Sequence, residues 1–545
     1  MGIFLNQAGY TVNAPKIAVT TTPCNFQIIR TVDQISVFDG ITTDGGFDAS
    51  SGEQTYHIDF SALTIPGSYY ILSGDKQKSP TFTIGNEVYR SLQKDLMKAF
   101  YYQRCGCALT EEYAGEYTHP ACHTAPSVFL EDYINKTPNP ASFDMTGGWH
   151  DAGDYGRYST AASVALAHLL YAYELFPESF QDSLNIPESG NHLPDILNEC
   201  LYELKWLLKM QAEDGGVYHK LTSFSHADFI MPQDDHSQFL IYPVSSMAVA
   251  DFAAIMALAS RVYKPFEPEF SETALQAARK SWKWLLNNPY IGFHNPEGSN
   301  TGEYDDTCDL DERMWASAEM LRTDFGFDNT YLEKLTEYVL SDINKTDFGW
   351  TDVSGLTLLC TLFDAKHSAG EKIENALKAA LFADADKLCS LIDAGGYRLG
   401  MEPEDYVWGS NMVVCNRSML LILASLLSDA DHAPAYKNAA LEHLHYLLGK
   451  NALGISYVTG HGDNAYKNPH NRPTFADGIE LPMPGWVSGG PFKTPCDPKA
   501  IELIPKGTAP MKCFVDEVES YSTNEITIYW NSPAVFMTAF FNLNP

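Results

Sequence analysis

The sequence has no uninterrupted apolar run of the roughly 18 residues that a bilayer-spanning helix needs, which predicts a chain that does not cross a membrane. Its N-terminus, MGIFLNQAGYTVNAPK, lacks a basic segment followed by a continuous apolar one, so no signal peptide is visible. The expected location is therefore cytoplasmic, or extracellular if a leader has been removed. Positive charge is scarce: 36 Lys and Arg face 69 Asp and Glu, for a net charge of -33. Nucleic acid and anionic membrane surfaces would be repelled, whereas a neutral or cationic polymer would not. No GxSxG turn is present to support Ser-His-Asp nucleophilic catalysis. The 11 cysteines are odd in number and scattered. Cys200, Cys360, Cys389 and Cys415 lie in apolar helical patterns and read as small buried hydrophobes, so a reduced chain is expected.

With 45% hydrophobic and 12% aromatic residues, the chain can build a sizeable core in more than one domain. Residues 1–85 alternate apolar and polar positions in KIAVT, FQIIR, QISVF, YHIDF and SYYIL, with Pro and Gly punctuation, which predicts a small all-β immunoglobulin-like sandwich. From residue 86 the period becomes helical, and about twelve helical patterns follow, separated by long irregular loops. With no strands detectable between them, residues 86–545 read as an all-α (α/α)6 barrel rather than a βα-barrel. Under this reading the loops 144–158, 213–243, 287–310 and 450–523 carry the chemistry. No low-complexity spacer divides the two textures.

Two motifs carry carboxylates. GGWHDAGDYGRY places Asp151 and Asp154 in a Gly-rich turn before an apolar helix, and FVDEVESYSTNEITIYWN places Asp516 and Glu525 among aromatic residues. Burial against rings raises a carboxyl pKa, as a general acid requires, so Glu525 reads as a proton donor. In an inverting glycosidase a second carboxylate activates water on the opposite sugar face, which suits Asp154, with Asp151 as a second hydrogen-bonding partner of that water. The competing reading of Asp154 is a helix cap.

These two motifs, together with SYVTGHGDNAYKNPHNRP, resemble glycoside hydrolase family 9, through Ser456, Val458, Thr459, Gly462, Asn464, His470 and Arg472 in the third and Phe514, Asp516, Tyr521, Glu525, Thr527 and Asn531 in the last. The resemblance implies Asp154 as base, Asp151 as its water-holding partner, Glu525 as acid, and His470 and Arg472 lining the subsite at the cleaved bond. Asn471 departs from the family pattern, where many members carry a second histidine. The implied substrate is a β-1,4-linked glucan or oligosaccharide, and the chain is expected to act as a monomer. Exo-acting β-glucosidase or exo-β-glucosaminidase activity on short oligosaccharides is the rival reading, and a non-catalytic carbohydrate-binding protein a more distant one. Pyranose faces stack on rings, which makes Trp408, Trp486, Trp530 and Tyr304 candidate platforms. Trp206, Trp282, Trp284 and Trp315 read as core, and Trp149 as packing for the turn. His219, His226 and His236 either reach the cleft or cap loops.

RCGCAL, HPACHT and GGWHD hold Cys105, Cys122, His123 and His150, a tetrahedral zinc set if the loop at 122–123 folds sharply, with Cys107 and His119 as possible substitutes. A related set in the family 9 subgroup with an N-terminal immunoglobulin-like domain falls on the first four, and implies a structural zinc that anchors the catalytic turn. TGEYDDTCDLDE crowds acids ahead of a helix. There Asp311 and Glu312, with Asp352, correspond to a calcium site in family members, while a macrodipole role at the helix N-terminus explains them equally. Asp306 could instead face the cleft.

Overall fold

The computed structural model describes residues 2–545, which form two compact units. One comprises residues 2–99, Ala383–His470 and Glu480–Pro545; the other comprises Phe100–Phe382 and Asn471–Ile479.

In the first unit the alternating N-terminal segments form two sheets. Strands Ile3–Phe4, Ile17–Thr20, Glu53–Asp59 and Thr43–Asp48 lie side by side in that order, all antiparallel. The second sheet runs Gly9–Tyr10, Phe82–Ile84, Gly67–Ser73, Asn25–Arg30 and Ser36–Ile41. In Asn25–Arg30, Phe26 and Ile28 are buried while Gln27 is exposed, the alternation of a strand with one wet face. Phe26, Ile28, Ile58, Phe60, Tyr69, Ile71 and Phe82 fill one shared core. The first strands reach further than the sandwich. Gln7 donates from Nε2 to the Gly454 carbonyl (2.8 Å) and accepts at Oε1 from the Asn464 amide (2.7 Å), and Thr81 donates its amide and hydroxyl to Asp463. The loop leading to His470 is thus fastened to the sandwich. In the same unit the almost wholly buried helix Ile528–Leu543 packs on Ser410–Leu427, which also carries Ala433–Leu447.

The second unit is built of helix pairs. Ser159–Leu175, Ser246–Tyr263 and Leu310–Thr323 pack successively on one another, and each carries a partner: Asp195–Lys209, Pro268–Asn287 and Thr330–Val339 respectively. Ser159–Leu175 and Ser246–Tyr263 are apolar and buried on nearly every side. A partner such as Pro268–Asn287 is buried along a stripe that includes Ser271, Ala274, Ala278, Ser281, Trp282 and Leu285, the 3.6-residue period of a helix with one face in solvent.

Two sequence expectations need correction. Strands are present in the helical region: Val128–Phe129, Leu240–Ile241, Lys220–Thr222 and Arg157–Tyr158 form a four-stranded sheet beside the GGWHDAGDYGRY turn. Strands of two or three residues are too short to show a period. Two helices, Ser246–Tyr263 and Ser410–Leu427, are long and apolar enough to cross a membrane by length and composition, although no run had been expected to be. Both are mostly buried within their units, so their apolarity serves helix packing. The cysteines form no disulfide; Cys200, Cys360 and Cys415 are buried, and Cys389 is half-buried rather than core.

Candidate active site

The turn before Ser159–Leu175 is held at almost every residue. Gly147 and Gly148 both have positive φ, and a Cβ on Gly148 would lie 2.7 Å from the Trp206 ring, so the pair turns where a side chain would not fit. Trp149 is buried against Phe100 and donates from Nε1 to Glu199 (2.9 Å) and from its amide to Glu203. His150 donates its amide to the Gln103 carbonyl, and Asp151 to that of Gly156. Arg472 closes the far side: its amide and Nη1 both reach the Gly153 carbonyl (3.0 and 2.9 Å), and its Nε reaches the Ala227 carbonyl. A residue expected to meet sugar hydroxyls thus also fastens the turn.

This turn buries two carboxylates and gives them opposite electrostatics. Asp151 is 1% exposed and Asp154 6% exposed. Burial pushes the Asp151 carboxyl well above its ordinary range, the Tyr304 hydroxyl opposes this, and the Asp154 charge adds to it. For Asp154, burial is outweighed by the hydrogen bond and charge of His226 and by the charges of Arg472 and His150, which hold it below the ordinary range. One carboxyl therefore favours its proton while the other stays ionised, a division of roles that marks acid–base sites. Tyr304 donates its hydroxyl to Oδ2 of Asp151 at 2.5 Å, and Oδ1 of Asp151 is buried with no protein partner.

Tyr304 is half-buried at φ 51°, its ring against Tyr158 (4.6 Å) and edge-on to Trp350 (4.9 Å). It is placed by the loop beneath it: Lys220 donates to Asn295, Thr301 and the Gly302 carbonyl, and His219, stacked on Phe293, donates to the Glu303 carbonyl. Of the three loop histidines left open by the sequence, His219 is structural, His236 is exposed, and His226 reaches Asp154, with Nδ1 3.0 Å from Oδ2.

Cys105, Cys122, His123 and His150 converge, all four ligand atoms lying within 4.8 Å of one another. His123 Nδ1 lies 3.3 Å from His150 Nε2 and 3.7 Å from Cys105 Sγ, and Cys122 Sγ is 4.0 Å from His150 Nε2. Zinc bond lengths of about 2.0–2.1 Å to nitrogen and 2.3 Å to sulfur put tetrahedral ligands about 3.4 Å (N to N) and 3.6 Å (S to N) apart, so the donor set fits zinc. The sharp fold required for adjacent ligands is present, since His123 has φ 47°. Its Nε2 faces Asp235 at 3.3 Å, a carboxylate that orients the ring and that the sequence did not suggest. Cys107 and His119 lie outside the set, and His119 donates Nδ1 to the Pro120 carbonyl.

The acidic loop resolves differently from expectation. Asp311, Glu312 and Asp352 are not among the metal-spaced clusters found in the described residues; the other one is exposed, at His294, Glu303 and Asp305. Asp352 already accepts from Asn344 and from the Ser354 amide, and Asp311 accepts the Val353 amide. The carboxylates lacking partners are Glu312, Asp251 and one oxygen of Asp306, all mutually repelling. Buried orphan carboxylate oxygens suit a hard cation. Asp251 was missed, although an Asp in the middle of an apolar helix was itself the signal.

In the first unit, Glu525 is half-buried two residues before Thr527, which caps Ile528–Leu543 by accepting the Trp530 amide. Its backbone bridges to His470, whose amide donates to the Asn524 carbonyl and whose Nδ1 donates to the Val518 carbonyl at 2.6 Å. Asp516 accepts the amides of Lys467 and Asn468 and the side chain of Asn524, so it braces this bridge. Trp408 is 43% exposed, its ring 5.5 Å from that of Tyr521, which also neighbours His470. Trp486 and Trp530, expected as platforms, are 1% and 3% exposed and cannot present a ring face to sugar. Trp530 fills the space over Gly409 and Gly489, where a Cβ would lie 2.9 and 2.8 Å from its ring. Trp206, Trp282, Trp284 and Trp315 are buried, as read from their helical patterns.

Compared with known proteins, the chain matches glycosyl hydrolase family 9 over residues 89–538 and the cellulase N-terminal ig-like domain over residues 1–78. It is 43% identical to a cellodextrinase of Butyrivibrio fibrisolvens, with 98% of each chain covered. It is 35% identical to endoglucanase D of Acetivibrio thermocellus, over 99% of this chain and 84% of that one. A single mutant of a thermostable endoglucanase from Alicyclobacillus acidocaldarius has a similar structure, with a TM-score of 0.90, 35% identity and 99% of each chain covered. A Zn-binding triple mutant of another family 9 endoglucanase gives a TM-score of 0.90 at 32% identity, over 97% of this chain and 99% of that one.

Proposed function

The chain belongs to glycosyl hydrolase family 9, and from that premise we propose that it hydrolyses β-1,4-glycosidic bonds of cellulose-type glucans and cello-oligosaccharides in the endoglucanase manner, with inversion. The observation that carries the reading is the electrostatic division within one turn: Asp154 is kept ionised while its neighbour Asp151 favours its proton. Asp154 is thereby the base. Water held between Asp154 and the unpartnered Oδ1 of Asp151 forms the new bond to the anomeric carbon and gives its proton to Asp154. The glycosidic carbon–oxygen bond breaks, and the leaving oxygen takes a proton from Glu525. Asp154 then releases its proton to solvent, Glu525 regains one, and the net reaction is addition of water across the bond. His470, Arg472 and Trp408 would contact the sugar. The paired buried and striped helices support an (α/α)6 barrel for residues 86–545, following a sandwich at 1–85.

Zinc would sit on Cys105, Cys122, His123 and His150, where it supplies no reaction chemistry and ties the 105–123 segment to the residue preceding Asp151. Calcium would neutralise the pocket of Asp251, Asp306, Asp311 and Glu312.

Labelled cellopentaose and chitosan pentamer, incubated in parallel with the parent enzyme, Glu525→Gln and Asp154→Asn, test the assignment. Internal cleavage of cellopentaose to inverted products, lost in both variants, is expected. Stepwise release of monosaccharide from either substrate, or turnover in either variant, would overturn it.

A further inference from the structure

Lys220 is a lysine with no exposed surface, in a middle strand of the short sheet beside the GGWHDAGDYGRY turn. It pairs with Tyr158 at the end of that turn, and its carbonyl accepts the Tyr242 amide on the other side. A buried charge is costly unless it is paired or hydrogen-bonded. Here the three ammonium protons meet three acceptors: Asn295 Oδ1 (2.6 Å), Thr301 Oγ1 (3.1 Å) and the Gly302 carbonyl (2.6 Å). Asn295 also donates Nδ2 to the Thr301 carbonyl (2.7 Å), which closes the loop on itself. The rings of Tyr242, Phe293 and Tyr158 stand around the ammonium, their centroids 4.5, 5.1 and 5.7 Å from Nζ. Burial still brings the amine down to about 7, against the opposing pull of the Asp154 and Glu303 charges. An apolar side chain would fill this cage of rings at lower cost, so the charge points to a task beyond packing.

We propose that Lys220 is a positioning residue for the water-holding carboxyl: its ammonium fastens the 295–302 loop to the strand paired with the catalytic turn, so that the Tyr304 hydroxyl is delivered to Asp151. The inference rests on the reading of Asp151 as partner of the attacking water. Tyr304 follows the gripped loop by two residues, at φ 51°, and its hydroxyl reaches Asp151 Oδ2 at 2.5 Å. The backbone leading to it is held at three successive carbonyls: Thr301 by Asn295, Gly302 by Lys220, and Glu303 by His219 (2.9 Å). The turn is held by the same two strand residues, since the Ser159 amide donates to the His219 carbonyl (3.0 Å) and Tyr158 pairs with Lys220. His219 and Lys220 thereby set the separation of two segments that meet only at the bond between Tyr304 and Asp151.

The test is a mutant cycle on cellopentaose, reading kcat, KM and melting temperature for the parent, Lys220→Met, Tyr304→Phe and the double variant. Methionine fills the ring cage but brings neither charge nor donors. Lys220→Met is expected to lower kcat roughly 10- to 100-fold with KM little changed, and to add less than about twofold to the loss already present in Tyr304→Phe. Lys220→Gln, which keeps an amide donor, is expected to regain part of kcat. Thr301→Val deletes one of the three acceptors and serves where Lys220→Met does not fold: its smaller loss of kcat is expected to vanish in the Tyr304→Phe background. Losses that multiply in the double variants, or a parental kcat in Lys220→Met and Thr301→Val, would overturn the inference whatever the melting temperatures. Tyr304→Phe separates the two claims. A parental kcat in that variant overturns the water-holding role of Asp151 and the inference with it, whereas a loss there beside a parental kcat in Lys220→Met overturns the role of Lys220 alone.

Discussion

Tyr304→Phe removes one oxygen atom and leaves the ring between Tyr158 and Trp350, so it isolates the hydrogen bond to Asp151 from any stacking on sugar. That bond is 2.5 Å long, goes to a carboxyl that is 1% exposed, and leaves the opposite oxygen as the only site for the water. Leaving a buried carboxyl oxygen without its donor costs about 1–3 kcal/mol. If that energy orients Asp151 in the transition state, its loss lowers kcat by roughly 10- to 100-fold, at about 1.4 kcal/mol per factor of ten. The pH dependence has a definite sign. Tyr304 opposes the burial that raises the Asp151 carboxyl, so without the hydroxyl Asp151 holds its proton to still higher pH. Any limb of the kcat profile set by Asp151 is therefore displaced to higher pH in the variant. Steady-state kinetics on cellopentaose from acid to alkaline pH read kcat and KM separately. A kcat equal to the parent's at every pH would refute the orienting role, and a raised KM with unchanged kcat would make Tyr304 a sugar contact instead.

Trp408→Ala is expected to raise KM for cello-oligosaccharides several-fold without changing the melting temperature, since one exposed ring contributes about 0.5–1.5 kcal/mol. Trp530→Ala should instead lose about 3–5 kcal/mol of stability, and a calorimetric scan matching the parent's would contradict its burial. Metal analysis of the purified protein is expected to return zinc, and EGTA to lower the melting temperature through loss of calcium. The EGTA effect should grow as pH rises from about 4 to about 6 and level off above: burial, followed by Asp352, pushes the Asp311 carboxyl up to about 6, so without a counter-ion the folded chain loses stability across that interval. A melting temperature insensitive to EGTA from pH 4 to 8, at about the precision of a scan, would exclude calcium from the pocket.

Legibility from sequence followed the range of the interactions involved. The helices were readable because each pattern spans several turns, and the sandwich because its strands alternate over five to seven residues. The catalytic turn was readable because glycines, Trp149 and both carboxylates lie in one contiguous motif. Tyr304 meets Asp151 from 153 residues away, and nothing local in TGEYDD tells a ring that stacks on sugar from one that orients a carboxyl. His226 and Asp235 also act on residues far away in the chain, through contacts that only the fold creates. Trp486 and Trp530 were misread because a tryptophan inside a functional motif is as easily the packing beneath a site as its surface. Asp251 was legible in principle, since a charge centred in an apolar helix needs a partner.

The grip of Gln7 on residues 454 and 464, and of Thr81 on Asp463, bears on how such a chain can be rearranged by recombination. The sandwich behaves less as a cartridge that a lineage can swap than as a splint set around the segment that delivers His470. A gene fusion that exchanged the first 85 residues for an unrelated β-domain would preserve the reading frame and every catalytic codon, yet hand down a slack His470 strand. Inheritance of the two parts together is the arrangement this architecture rewards.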